Sequence, residues 1–133
     1  MTLLDAINKA VQAFTQPEIK DIYTLDVTII NDLPNVNYPV AIIDPVNTTM
    51  TLDLVRYTLR CYVIDRMEIE SVDAENQLDM ATRVIMRAIK RLGFIDGVNV
   101  TSGIISYVRM DWNDYNAGAW VDLTFEAPYQ IEC

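Results

Sequence analysis

The stretch "DLVRYTLRCYVID", Asp53–Asp65, alternates apolar and polar residues almost without a break. Val55, Tyr57, Leu59, Cys61 and Val63 fall on one side, and Arg56, Thr58, Arg60 and Tyr62 on the other. A period of two predicts a long strand with one face turned to a core. The chain then changes period. In "DAENQLDMATRVIMRAIKRL", Asp73–Leu92, the residues Leu78, Ala81, Ile85, Ala88, Ile89 and Leu92 recur at helical spacing. Ser71 or Asp73 is positioned as the cap. Asp73, Glu75 and Asp79 come early and Arg83, Arg87, Lys90 and Arg91 late, the order that the helix dipole favours. Gly93 followed by Phe94 reads as a Schellman ending. A long strand leading into an amphipathic helix sets the frame for the rest.

Upstream, Thr2 and Asp5 have the spacing of a capping box, with Asp in place of the usual Glu or Gln. Leu3, Leu4, Ile7, Ala10, Val11 and Phe14 follow as an apolar stripe, Asn8, Lys9 and Gln12 face water, and Pro17 ends the pattern. "IYTLDVTII" alternates through Tyr23, Leu25, Val27 and Ile29 and predicts a strand. "NDLPNVNYP" is a loop. "VAIID" is a short strand whose Pro39 suits a strand start or an edge, and "PVNTT" turns the chain. After the second helix, "IDGVNVTSG" is turn material. Strands of about Ile104 to Trp112 and Ala119 to Ala127 form a hairpin around "NDYNAG". The order is α-β-β-β-α-β-β. Short turns between neighbouring strands imply an α+β domain over residues 1–133, with a mainly antiparallel sheet carrying two helices. The second helix is expected to pack through Leu78, Ile85, Ile89 and Leu92 on Leu25, Val27, Leu59, Cys61, Val63, Val121, Leu123 and Phe125.

The totals narrow the function. The chain has 133 residues, 51% hydrophobic and 22% charged, in the range of single globular domains. No run approaches the roughly 18 apolar residues of a membrane span. The amino terminus lacks a basic, long apolar leader, so synthesis in the cytoplasm is expected. Cys61 then reads as a buried thiol and Cys133 as a loose terminal one, rather than as a disulfide pair. A net charge of −9 argues against a free-standing nucleic-acid binder.

Chemistry has few carriers. The chain has no histidine, which removes the commonest general base and metal ligand. The four glycines, Gly93, Gly97, Gly103 and Gly118, form no phosphate loop. Two carboxylate groups remain: Asp65, Glu68, Glu70 and Asp73 before the second helix, and Asp111, Asp114 and Asp122 around the last hairpin. Neither has the spacing of a known cation loop, and both read as solvated faces and caps. No cofactor and no catalytic residue is assigned. The basic group Arg83, Arg87, Lys90 and Arg91 complements the helix dipole and allows an Asp79–Arg83 pair. Contact with a neighbouring subunit is a second reading, and phosphate contact a third.

"DWNDYNAGAW", Asp111–Trp120, carries more aromatic area than a turn needs. Asn116-Ala117-Gly118 would turn the chain, which leaves Trp112, Tyr115 and Trp120 as a contact surface in preference to local packing. Arg83 and Arg87 join them as candidate subunit-interface residues.

The layout as a whole resembles a known family. An opening amphipathic helix is followed by the Pro-bounded strand "NYPVAIIDP" and then by the long strand "YTLRCYVIDR". The helix "DAENQLDMATRVIMRAIKRL" and a closing "GAWVDLTFEAPYQIEC" complete it. This resembles the tail terminator or tail-completion proteins of tailed bacteriophages and the related small head-to-tail connector, or neck, proteins. Asp65-Arg66 matches the family's polar strand-to-helix passage, and Gly118 to Leu123 its closing strand. The resemblance implies a virion protein without catalysis, made in the host cytoplasm. It implies self-assembly into a ring, hexameric or dodecameric, that ends the tail tube, joins the connector and lets duplex DNA pass. Cys133 ends the sequence directly after the last strand, without the extension that reaches a neighbour. A channel for DNA favours an acidic wall, for which Asp65, Glu68, Glu70, Asp111 and Asp114 are the candidates. Two other readings stand beside this one: an adaptor that binds a peptide by strand addition, and a carboxylate- or metal-dependent hydrolase.

Overall fold

The computed structural model describes residues 1–24, 26, 35–66, 75–93, 99–111 and 115–128, with the side chains of 102, 109–111 and 115 left aside. Eight elements follow one another: α1 (Leu3–Phe14), β1 (Asp21–Thr24), β2 (Val40–Met50), β3 (Leu54–Arg66), α2 (Glu75–Leu92), β4 (Asn99–Ser102), β5 (Ser106–Asp111) and β6 (Tyr115–Pro128). The α+β class and the mostly antiparallel sheet expected from the sequence are what the structure has. The strands run in the order β1-β2-β3-β6-β4, with β5 also on β6. β1 lies parallel to β2, and every other pairing is antiparallel.

α1 starts as the capping box requires. The Thr2 N–H donates to Asp5 Oδ2 at 2.9 Å and the Asp5 N–H to Thr2 Oγ1 at 3.1 Å. These bonds hold the Asp5 carboxyl below its usual range. Ile7, Ala10, Val11 and Phe14 of the expected stripe lie in or against the core, but Leu3 and Leu4 do not, and Ala6 and Ala13 take part instead. Ala6, Ala10, Ala13 and Phe14 are buried, while Leu4 is 64% exposed and Leu3 also faces outward. Small side chains let α1 approach the sheet and α2 closely.

Both helices cover the same face of the sheet. Ala81, Val84, Ile85, Ala88 and Leu92 of α2 meet Leu59, Cys61, Val63, Ala119, Val121, Leu123 and Phe125 in one core, which α1 completes. Val84 joins the expected stripe, Leu78 is only half-buried, and Leu25 and Val27 lie outside the described residues. Cys61 is a free thiol whose pKa burial pushes up; Cys133 lies outside the described residues. The Gly93 N–H donates to Ile89 O at 3.1 Å, and its φ is not left-handed, so the expected Schellman geometry is not formed at Gly93. Ser71, Asp73 and Phe94 lie outside the described residues.

Three segments read as turns are strand. β2 does not stop at Asp44 but runs on through "PVNTTM". Its register with β3 shifts between Pro45 and Asn47, leaving Val46 as an extra residue. Such a bulge accommodates a proline that has no N–H to donate. β6 likewise begins at Tyr115, so Asn116-Ala117-Gly118 pair with β3 instead of turning the chain. A Cβ on Gly118 would stand 1.9 Å from Val63 O and 2.9 Å from Ile64 Cα. Close approach of β3 and β6, not a turn, is what requires glycine at 118. The stretch "NVTS", expected as turn, forms β4 on the β6 edge.

Candidate functional site

The sheet face away from the helices holds Trp120, and its two ends differ. At one end Val40, Ile42, Tyr62 and Ile64 form a second apolar cluster against Tyr23, Val36, Tyr38 and Trp120. At the other, β3 and β6 place polar residues in direct cross-strand register: Arg56 with Glu126, Thr58 with Thr124 and Arg60 with Asp122. Arg56 and Glu126 form an ion pair, and the two threonine hydroxyls are 3.2 Å apart. The Arg60 guanidinium binds Asp122 through two bonds of 2.8 and 3.1 Å, which raises its pKa.

Trp120 sits where these ends meet. Its ring centroid is 6.3 Å from that of Tyr62 at an interplanar angle of 42°. The Arg60 guanidinium carbon lies 4.2 Å above the ring, a cation–π contact. Burial, ahead of Asp44 and Asp122, pushes the Tyr62 hydroxyl up, while Arg60 opposes it. Trp120 is therefore half-buried in contacts within its own chain. Trp112 lies outside the described residues; Tyr115 is described only as the first residue of β6. The aromatic surplus is thus in part local packing, the reading less favoured from sequence.

The basic residues of α2 are largely engaged inside the chain. Arg83 pairs with Asp79 at 3.1 Å, the i,i+4 bridge expected. Arg87 Nη1 donates to Glu18 Oε1 at 2.7 Å and to the buried Gln16. That hydrogen bond, more than the bare charge, holds Glu18 below the ordinary carboxylate range. Arg91 Nη1 donates to Thr15 O at 3.0 Å and Ala13 O at 3.3 Å. Gln16 Nε2 in turn bonds Ala13 O and Val84 O at 3.0 and 2.9 Å. Arg91 thus reaches the carbonyl end of α1, where the dipole is negative, and Arg87 the side chains just beyond it. Sequence spacing within α2 carries no sign of this clasp, because its partners stand about seventy residues away.

Of the acidic candidates, Asp65 is half-buried at the end of β3. Desolvation pushes its pKa up, against a 2.8 Å bond from the Arg66 N–H. It opens into a cleft of about 580 Å³ shared with Lys20, Val36, Asn37, Tyr38 and Arg66, so its surroundings carry both signs. The Arg66 guanidinium lies 5.2 Å from the centre of the Tyr38 ring. Asp111 ends β5; Glu68, Glu70 and Asp114 lie outside the described residues. Sequence reasoning passed over Asp44, also half-buried, whose pKa burial raises, with Asp26 adding to the shift and Arg60 opposing. It also passed over Asn116, 1% exposed, whose amide oxygen and nitrogen find no partner among the described residues. The run of small residues around Gly118 was the signal for that strand.

Of the exposed large apolar side chains among the described residues, Leu3, Leu4 and Met86 lie on the helices and the others fall in two stretches of the sheet. Val46, Met50 and Leu52 project from the β2–β3 hairpin, Leu52 at 95% exposure. Ile104, at 83%, and Tyr107 project from the β4–β5 edge. Among the described residues no group of His, Cys, Asp and Glu is placed to hold a metal, and no helix is long and apolar enough to cross a membrane. No family model matches the chain, and no curated protein matches it.

Proposed function

We propose that the chain is a structural subunit of a tailed-bacteriophage neck or tail, of the tail terminator or head-to-tail connector kind. It assembles with copies of itself into a ring that ends the tail tube and passes duplex DNA. The observation that carries the reading is the β2–β3 hairpin, where Val46, Met50 and Leu52 are exposed to solvent on a chain of net charge −9. Exposed apolar patches of this kind mark contact surfaces. The α+β architecture agrees with what the family resemblance implies.

The charge pattern supports a lumen that does not hold DNA. Arg83, Arg87 and Arg91 are bound within the chain, which weakens the rival view that this helix end grips phosphates. Negative-stain images of the purified protein test the ring: annular particles with a central hole are expected, and uniformly small compact particles contradict it. Titration of labelled duplex DNA into the assembled protein tests the channel. The expected result is no measurable binding at low salt, and tight binding that falls steeply with salt overturns it. The adaptor reading has one observation in its favour, since the outer edge of β4–β5 carries no further strand among the described residues. It expects a small species that captures extended peptides.

A further inference from the structure

We propose that the tip of the β2–β3 hairpin of one copy inserts between α1 and α2 of the next, with Leu52 in the groove there and Asp53 against its basic rim. The inference rests on the assembly reading above and names the two surfaces that join the copies. The groove has a volume of about 180 Å³ and is lined by Lys9, Gln12, Ala13, Arg91 and Leu92. Ala13 and Leu92 are buried and make an apolar floor. The rim is positive. Arg91 Nη1 is taken up by Ala13 O and Thr15 O, but its other nitrogens and the Lys9 ammonium have no bonded partner among the described residues. Asp5, one turn from Lys9, feels its charge, yet the Asp5 carboxylate is committed to the Thr2 N–H.

The hairpin tip has the complementary form. Beyond the Met50–Val55 pair, the Thr51 N–H donates to Leu54 O at 2.9 Å and the Leu54 N–H to Thr51 Oγ1 at 3.2 Å. These bonds close the turn and hold Leu52 outward at 95% exposure. That exposure also means that the tip does not fill the groove of its own chain, so the occupant comes from another. Asp53 follows, exposed and without a partner among the described residues. Arg56, the next cation along β3, is already held by Glu126, so the uncompensated charge at the tip is negative.

An aliphatic side chain beside a carboxylate thus faces an apolar floor beside two cations. Copies that each carry −9 repel, and an acidic tip on a basic rim replaces that repulsion locally by attraction, which fixes partner and register. Burial of Leu52 supplies the apolar area. Asp53 stays at the rim in contact with water, so its pairing avoids the desolvation cost of a buried ion pair. Tip and groove are different surfaces, and a contact between them is heterologous. Repeated from copy to copy, it closes a ring or runs on as a filament.

Charge exchange tests the contact. Light scattering of the full chain over a range of concentrations is applied to Leu52→Asp, Asp53→Lys and Lys9→Glu, and to the chain that carries both Asp53→Lys and Lys9→Glu. Far-UV circular dichroism like the parent's shows that each variant folds. Leu52→Asp is expected to fall to 15.2 kDa. Each single reversal should raise the concentration of half-assembly by at least about tenfold, because it sets like charges face to face. The double reversal restores opposite charges and should return that concentration to the parent's. Gln12→Glu, at an exposed position on the same rim, should act like Lys9→Glu and stands in for it if that variant does not fold. A folded Leu52→Asp chain that keeps the parent's mass overturns the proposal, as does a double reversal that assembles no better than the single ones. A parent chain that is itself monomeric at every concentration overturns the assembly reading instead, and the docking with it.

Discussion

The two faces of one sheet follow different rules. Toward the helices, β3 and β6 present Leu59, Cys61, Val63, Val121, Leu123 and Phe125, all fully buried. Toward the other side, the same strands present an aromatic cluster at one end and a row of ion pairs and hydroxyls at the other. The first face is held by area removed from water, which is non-directional and strong. The second is held by cross-strand pairs, which are specific in geometry and individually weak. One face sustains the fold, and the other leaves side chains turned outward without threatening it.

Substitutions that bear on this contrast span a wide range of effect. The largest is expected at Gly118, where the two strands approach most closely. Gly118→Val should abolish cooperative urea unfolding, since even a Cβ meets backbone at 1.9 Å and overpacking of this severity exceeds the usual roughly 1–3 kcal/mol. A parent-like urea midpoint would mean that the strands do not approach so closely. Next come the buried residues under the helices. Leu123→Ala or Ile85→Ala should cost roughly 2–5 kcal/mol, and a change of less than about half a kcal/mol at both would mean that this face is not the main core.

On the outer face the effect shrinks. Side chains of Arg60 and Asp122 are about a third exposed, so solvent screens their pairing. A double-mutant cycle between Arg60→Ala and Asp122→Ala should return a coupling of about 0.5 kcal/mol that falls further in salt. A salt-insensitive coupling of several kcal/mol would erase the distinction between the faces. The smallest expected effect belongs to the helix clasp. Arg87 lowers the Glu18 pKa below its ordinary value of 4.5. The folded chain thus holds that proton less tightly than the unfolded one, and the pair's stabilisation is present above 4.5 and lost as pH falls through the folded value. Glu18→Gln should therefore cost a little stability at neutral pH and leave the chain less sensitive to acid. An acid titration of stability identical to the parent's would mean that the pair contributes nothing.

The same contrast explains which parts were legible in the sequence. α2 and β3 were, because burial on one face imposes a period of 3.6 or 2 that survives in the residue order. The Thr2–Asp5 capping box was, because both partners are local. The extent of β2 past Asp44 was not legible because a proline beside "VNTT" has turn chemistry, and only the bulge makes that residue harmless. β6 was started too late because Asn116-Ala117-Gly118 are also good turn residues. What selects them is the nearness of β3, which no local pattern records. Leu3 and Leu4 fit the helical spacing of the core stripe yet face outward, because α1 meets its neighbours through Ala6, Ala10, Ala13 and Phe14. The pairing of Arg87 and Arg91 with the end of α1 and its flanking residues depends on folding already done. Of the candidate contact residues, Trp120 illustrates the limit: its surplus was visible, but its partners Arg60 and Tyr62 lie on another strand.

The most direct test is the mass of the intact protein in solution, measured by native mass spectrometry over a range of concentrations. Assembly as the protein's function predicts one discrete species with a fixed number of chains, for example 6 × 15.2 = 91.2 kDa for a hexamer. A single species of 15.2 kDa at every concentration would contradict it.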